Sequence, residues 1–207
     1  VAHQNALGTA AIRIGDGNTL TINNDSLTGD WTLANRLVGD DTAIFNKTGF
    51  GKLTLSGNNS RFSGTINVLD GILEAVGPQA LSQNVTVILG DALGGTEGTL
   101  VLNNADVATD WFYGADITEA AAGLGILEKA GAGRVVLMGT GSDYSGVTTI
   151  SGGTLAITNA AAVGNTAKVF VDAGANFELV GASDWTFSKD IEGLGSVVKT
   201  GFGTLTL

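Results

Sequence analysis

The amino-acid sequence predicts an all-β fold in which short strands wind into a parallel β-helix, or β-solenoid, of roughly eight to ten coils. Three observations support this prediction. A long unit recurs along the chain, apolar residues alternate with polar ones between glycines, and 32 glycines stand beside the single proline Pro78. Glycine at this frequency, without collagen-like periodicity or a proline-rich stretch, indicates many tight turns.

The recurring unit is marked by a short motif that occurs three times. It reads KTGFGKLTL at residues 47–55, KAGAGRVVL at residues 129–137 and KTGFGTLTL at residues 199–207. The first two copies remain aligned without gaps well beyond the motif, through the Phe62-Ser63-Gly64 and Tyr144-Ser145-Gly146 segments. Self-similarity over so long a period is typical of solenoids and other repeat proteins.

An aspartate–tryptophan pair precedes each copy of the motif. The pairs are Asp30-Trp31, Asp110-Trp111 and Asp184-Trp185. We therefore expect residues 1–207 to form a single β-helix segment of a larger protein. Its repeat units are expected near residues 31–110, 111–184 and 185–207.

Apolar side chains recur with a period of two between the glycines, which predicts half-buried strands. The alternating pairs are Leu53/Leu55, Ile66/Val68, Leu73/Ala75, Val85/Val87, Leu100/Leu102, Leu155/Ile157, Val169/Val171 and Phe177/Leu179. The strongest helix signals are the alanine triplets at residues 120–122 and 160–162, and glycine soon follows each one. We expect no helix longer than one turn.

The repetition favours a solenoid over a closed sandwich or barrel. A recurring unit that cannot bury its apolar face alone is expected to stack on its neighbours and so form a continuous core. Coils of about 20 to 25 residues, spaced about 4.8 Å apart, predict a rod on the order of 40 to 50 Å long.

Composition excludes several classes of function. The chain has 20 acidic and 10 basic residues and a formal net charge of −10, so it lacks the basic surface that binds nucleic acid or anionic lipid. It has no cysteine, which excludes disulfides and thiolate chemistry within these residues. Only 14% of residues are charged, which favours an extracellular protein. We expect any export signal to lie outside this sequence.

The longer copies of the repeat resemble the passenger-associated repeat of bacterial type V autotransporters. The residues that carry the resemblance are KTGFGKLTLSGNNSRFSG at 47–64, KAGAGRVVLMGTGSDYSG at 129–146 with TTISGGTLAI at 148–157, and KTGFGTLTL at 199–207. The similarity extends over residues 45–75, 127–157 and 197–207. The first copy departs from the second at Asp70, where the second has Gly152, and the third copy ends at Leu207.

This resemblance implies a right-handed parallel β-helix that is exported through the periplasm and the outer membrane to the cell surface. A C-terminal outer-membrane barrel of the same parent chain is expected outside these residues. Passengers of this kind act as adhesins, autoaggregation factors or other surface virulence proteins. The implied partners are a host surface molecule or glycan, or a second rod of the same kind. The absence of cysteine agrees with export of an unfolded chain through a periplasm that forms disulfides.

We predict no catalytic, cofactor-binding or metal-binding residues, and the sequence does not identify a binding residue. His3 is the only histidine and lies at the N-terminus, where a catalytic or metal site would have little support. The segment GFGK at 49–52 lacks the first glycine of a phosphate loop and is interpreted as a turn. Residues 15–20 match only one fragment of a calcium-binding β-roll repeat.

Two further groups of residues have structural and functional interpretations. Trp31, Trp111 and Trp185 suit a sugar-stacking platform, but their recurrence favours a packing role repeated with the unit. Asn58-Asn59 and Asn103-Asn104 are interpreted as corner residues, since asparagine bonds its own backbone and tolerates a left-handed φ. The glycosylation sequons at 46–48 and 58–60 are likewise interpreted as turn and polar-ladder residues.

The alternative function is a β-helix enzyme that acts on polysaccharides. Such an enzyme needs carboxylates that converge in a groove. Because side chains one coil apart stack in space, sequence spacing leaves two candidate groups: Asp16 with Asp40, or Asp106 with Asp110 and Asp116. Because the chain has only four arginines and no unique basic site, we favour a protein that is not an enzyme.

Overall fold

The computed structural model describes residues 7–26 and 29–207, and these residues form a parallel β-solenoid of about nine turns. The strands in chain order are β1 (Ile12–Arg13), β2 (Thr19–Asn23), β3 (Trp31–Leu33), β4 (Leu37–Gly39), β5 (Ile44–Thr48), β6 (Lys52–Leu55), β7 (Arg61–Phe62), β8 (Thr65–Val68), β9 (Gly71–Val76), β10 (Thr86–Leu89), β11 (Gly98–Asn103), β12 (Trp111–Tyr113), β13 (Ile117–Glu119), β14 (Gly125–Ala130), β15 (Arg134–Leu137), β16 (Thr148–Ile150), β17 (Thr154–Ile157), β18 (Lys168–Val171), β19 (Asn176–Val180), β20 (Trp185–Thr186), β21 (Asp190–Gly193), β22 (Ser196–Thr200) and β23 (Leu205–Thr206). The predicted fold class and coil number are confirmed.

The strands are arranged on three faces, and every pair of neighbouring strands on a face is parallel. The first face contains β2, β5, β8, β10 and β13, and later β20 and β23. The second face contains β3, β6, β9, β11, β14, β16, β18 and β21, and it runs through every coil. The third face contains β1, β4 and β7, and later β12, β15, β17, β19 and β22. Backbone hydrogen bonds at Gln79 and Gln83 connect the two parts of the third face.

The core is a stack of inward-facing apolar side chains. Leu53 pairs with Leu73, Leu73 with Leu100, and Leu100 with Leu127, so one ladder of leucines follows the second face. Every residue of the eight predicted alternating pairs is buried. Most coils take 20 to 25 residues as predicted, while the coils that join Leu73 to Leu100, Leu100 to Leu127 and Val87 to Ile117 are longer because of inserted loops.

Helical structure in the described residues is limited to one 3-10 turn at Ala160–Val163, within one of the two alanine-rich windows. The window at residues 120–122 is not helical. Helices long and apolar enough to cross a membrane are absent from the described residues.

The repeated motif turns a different corner of the solenoid each time it occurs. Its first copy connects the first face to the second, its second copy the second face to the third, and its third copy the third face to the first. The strand register explains why the motif moves to the next corner. Lys47 pairs with Val68, Val68 with Leu89 and Leu89 with Glu119, so Glu119 lies three full coils after Lys47 on the same face. The chain then crosses to the next face before it reaches Lys129. One repeat therefore spans three and one-third coils.

Candidate functional site

The lysine that opens each motif is a buried cation in the first two copies. The Lys47 ammonium donates hydrogen bonds to the carbonyl oxygens of Thr48 at 3.1 Å, Gly49 at 2.5 Å and Asp70 at 2.8 Å. The Lys129 ammonium donates to Ala130, Gly131 and Gly152 at 2.7, 2.8 and 2.9 Å. All three donors of each ammonium are therefore satisfied, and in each case the third acceptor lies in the next coil.

Burial lowers the pKa of both lysines to about 8. At Lys47 the nearby carboxylates of Asp70 and Asp25 act in the opposite direction. The third lysine, Lys199, is exposed and donates to the carbonyl of Gly201. Sequence reasoning did not identify the buried state of these lysines, because lysine is almost never fully buried in proteins.

A buried asparagine in the preceding coil holds the motif from its other side. The Asn24 amide donates to the carbonyls of Gly29 and Lys52, and the Asn104 amide donates to those of Thr109 and Arg134. Asn104 was predicted as a corner residue, whereas Asn24 was missed. The signal that identifies both is their position seven residues before a tryptophan.

The tryptophan of each pair lies beside the same position of the motif in the next coil. Trp31 pairs with Leu53, Trp111 with Val135 and Trp185 with Leu205, in each case six residues after the motif lysine. Trp111 is fully buried, and the other two pack against the core. The packing interpretation therefore explains their recurrence, and a sugar platform at Trp111 is excluded by its burial.

The aspartate of the pair bonds the residue that follows the motif turn. Asp30 forms an ion pair with Lys52 at 3.1 Å, and Asp110 forms one with Arg134 at 2.6 Å. In the third copy a threonine replaces the cation, and Asp184 accepts a hydrogen bond from the backbone N–H of Thr204. This contact explains why aspartate precedes the tryptophan.

We call each set of these residues a corner clamp. The first clamp comprises Asn24, Asp30, Trp31, Lys47 and Lys52, and the second comprises Asn104, Asp110, Trp111, Lys129 and Arg134. Each clamp joins three consecutive coils, because its lysine also bonds a carbonyl in the third coil. The two clamps share no coil, so they divide coils one to six into two blocks of three.

A second carboxylate completes the charge pattern at each clamp. Glu74 contacts Lys52 at 3.2 Å, and Glu178 contacts Arg134 at 2.7 Å although it lies two coils further on. Partial burial alone raises the pKa of Glu74, but hydrogen bonds from Asn103, Lys52 and Thr54 outweigh it and hold that pKa below its usual value.

We expect this pairing to make the thermal stability of the protein sensitive to acid. A group whose pKa is lower in the folded state contributes stability above its unfolded pKa and loses it as the pH falls through the folded value. The wild-type melting temperature should therefore fall more steeply than that of Glu74→Gln between about pH 5 and pH 3. Circular dichroism melts measure this, with exposed Glu192→Gln as a control for the lost charge. Parallel curves for wild type and Glu74→Gln would contradict the expectation.

The structure brings together one of the two candidate carboxylate groups of an enzyme and gives the members of the other group separate partners. Asp16 and Asp40 do meet across one coil, as predicted, and a hydrogen bond from Asp16 to Asp40 raises the pKa of Asp16. Both lie at surface turns that connect neighbouring strands. In the other group Asp110 pairs with Arg134, while Asp106 and Asp116 accept backbone N–H groups of Ala108 and Gly141. The contacts of this second group do not bring two of its carboxylates together.

The remaining candidates have structural roles or lie outside the described residues. His3 lies outside them. The GFGK segment is a turn with Gly49 at φ 80, and the Gly15–Asn18 segment closes a turn through a backbone bond. Clusters of three or more potential metal ligands are absent from residues 7–26 and 29–207.

Asparagines of the sequons and corners take part in ladders and caps. Asn46 accepts a hydrogen bond from Asn67 in the next coil at 2.8 Å, and buried Asn59 connects Leu37 to Ala80. The expected use of a left-handed φ at asparagine is wrong, because every positive φ in the described residues belongs to glycine. Glycine carries the strained turn positions, which leaves asparagine free to act through its side chain.

Comparison with known proteins identifies the repeat. The family model of the passenger-associated-transport-repeat matches residues 45–75 and 127–157. These are the ranges over which the sequence resemblance extends in the first two copies. Over 209 aligned residues, 30% are identical in the adhesin BmaC autotransporter of Brucella suis biovar 1 (strain 1330). The alignment covers 96% of this chain and 6% of that relative. Solved structures give no significant match.

Proposed function

Because the chain contains the passenger-associated-transport-repeat of bacterial autotransporters, we propose that it is an extracellular rod segment that forms or displays an adhesive surface. The matches to the passenger repeat and to an autotransporter adhesin support this proposal. The observation that carries it is the corner clamp. The repeated residues act on coil stacking, and none is directed to a reaction.

The rod is part of a longer passenger that its own C-terminal barrel exports to the bacterial surface. Its adhesive partner is a host surface molecule or glycan, or a second rod. The chain spans 6% of the relative that it matches, so an activity of the parent protein can lie elsewhere in that protein.

Binding of the purified chain to host cells or extracellular matrix tests the adhesive role. We expect saturable binding that is abolished by heat denaturation and is competed by unlabelled protein. Absence of binding to every surface, together with a strict monomer in concentrated solution, would contradict it. Cleavage of a polysaccharide that is lost in Asp16→Asn or Asp40→Asn would instead support the enzyme alternative.

Self-association has a separate readout. Sedimentation velocity over a wide concentration range should show a rising sedimentation coefficient if two rods pair along their faces. The proposal of pairing fails if the coefficient stays constant while surface binding persists.

A further inference from the structure

A shallow groove lies at the first corner, between the exposed tip of the first motif turn and a loop from two coils further on. Its volume is about 350 Å³. It is lined by Phe50, Asp70, Gly71, Ile72, Thr96, Glu97 and Thr99. A volume of this size admits one long side chain.

The fold does not require the aromatic wall of the groove. The Phe50 side chain is 63% exposed at the tip of the turn. In the second motif Ala132 takes its place, yet Lys129 makes the same three hydrogen bonds as Lys47. The phenyl ring therefore adds nothing to the clamp, and it is free to contact a ligand.

The opposite wall is an insertion that the solenoid does not require either. The coil between Leu73 and Leu100 spans 27 residues, whereas the coil between Leu53 and Leu73 spans 20. The extra residues form a small antiparallel loop closed by a bridge between Asp91 and Thr96. This loop places Thr96 and Glu97 over the corner that carries Phe50.

The charge of the groove favours a cation. Asp70 and Glu97 contribute two carboxylates, and Glu97 takes part in no ion pair among the described residues. The nearest ammonium, that of Lys47, is buried and occupied by three carbonyls. The net charge of −10 adds long-range attraction for a basic partner.

We propose that this groove binds an arginine side chain from a basic partner protein. The guanidinium stacks on the Phe50 ring, a cation–π contact, and its N–H groups bond the Glu97 carboxylate. Arginine is favoured over lysine because its planar group stacks and bonds a carboxylate at two points. This inference rests on the proposed adhesive function and specifies the chemistry of the partner.

Titration with N-acetyl-arginine amide tests the groove directly, with the citrulline analogue as a neutral probe of the same shape. In ¹H–¹⁵N spectra we expect shifts at the amides of Gly71, Ile72 and Thr99 with a Kd on the order of millimolar. The citrulline probe should cause no shifts there. Added salt should weaken the arginine response.

Two variants and one control test the residues. Phe50→Ala and Glu97→Gln should each weaken binding about three- to tenfold. Phe202→Ala changes the equivalent turn residue of the third motif, which lies outside the groove, and should leave binding unchanged. Equal responses to arginine and citrulline, shifts caused by a neutral methyl glycoside instead, or undiminished binding by Phe50→Ala would overturn the proposal. Cell adhesion that persists in Phe50→Ala would leave the adhesive function intact.

Discussion

Replacing Lys129 with methionine is expected to lower the free energy of unfolding by about 2–4 kcal/mol. Methionine fills a similar volume but donates no hydrogen bond. The substitution therefore leaves the carbonyls of Ala130, Gly131 and Gly152 without their buried donor. Chemical denaturation with wild type and variant side by side measures the loss.

Two other lysines provide matched controls. Lys168 forms an exposed ion pair with Glu192, and Lys199 occupies the same motif position as Lys129 but is exposed. Because exposed pairs contribute little, Lys168→Met and Lys199→Met should each cost less than about 1 kcal/mol. A loss at Lys168 as large as that at Lys129 would refute a special role for the buried cation.

The Lys129→Met variant should also show which coils unfold locally. In a solenoid each unit contacts only its neighbours, so local defects destabilise nearby coils most. Hydrogen exchange in Lys129→Met is expected to rise in the second block, residues 104–171, while amides of the first block near β5 and β8 remain protected. Uniform acceleration along the whole chain would show that the clamps do not define separate blocks.

Replacing Gly131 with alanine is expected to be the most damaging glycine substitution of the second motif, costing several kcal/mol. Gly131 has φ 77, where an L side chain is strained by about 1 kcal/mol. A Cβ there would in addition overlap the carbonyl oxygen of Asn104 and the side-chain oxygen of Asn103. The backbone strain and the steric overlap add to each other, because the Gly131 turn packs directly against the preceding coil.

Gly174→Ala separates the two causes. Gly174 has φ 84, but a Cβ built on it meets nothing within 4 Å. It therefore carries the conformational strain without the collision and should cost about 1 kcal/mol. Thermal unfolding of both variants gives the comparison. Equal losses of stability would mean that the preceding coil moves to make room for the Gly131→Ala methyl group, contrary to tight stacking at Asn103 and Asn104.

Much of the architecture was accessible from the sequence because it depends on local patterns. The alternation at Leu53/Leu55 and at Leu100/Leu102 specifies inward-facing positions whatever the coil does elsewhere. The meeting of Asp16 with Asp40 follows from the stacking of side chains one coil apart. The clamp was only partly predictable, since the buried state of Lys47 depends on a carbonyl supplied by Asp70 in the next coil.

The corner at which each motif falls could not be predicted from the spacing of its copies. That position depends on the exact length of every intervening coil, and the loops before Gly98 and Gly125 lengthen two of them. The groove depends on the same insertion. No local signal marks Phe50 and Glu97 as neighbours, because their proximity is decided by a loop that rises from another coil.

The advance of one corner per repeat determines what a long rod of this design offers to its surroundings. Successive copies of the motif lie at the three corners of the solenoid in turn. Since one repeat spans three and one-third coils, a copy returns to the same corner only after ten coils. At about 4.8 Å per coil, equivalent elements on one side stand about 48 Å apart. A flat surface laid along such a rod would therefore contact every third repeat, whereas a partner that surrounds the rod would contact every repeat.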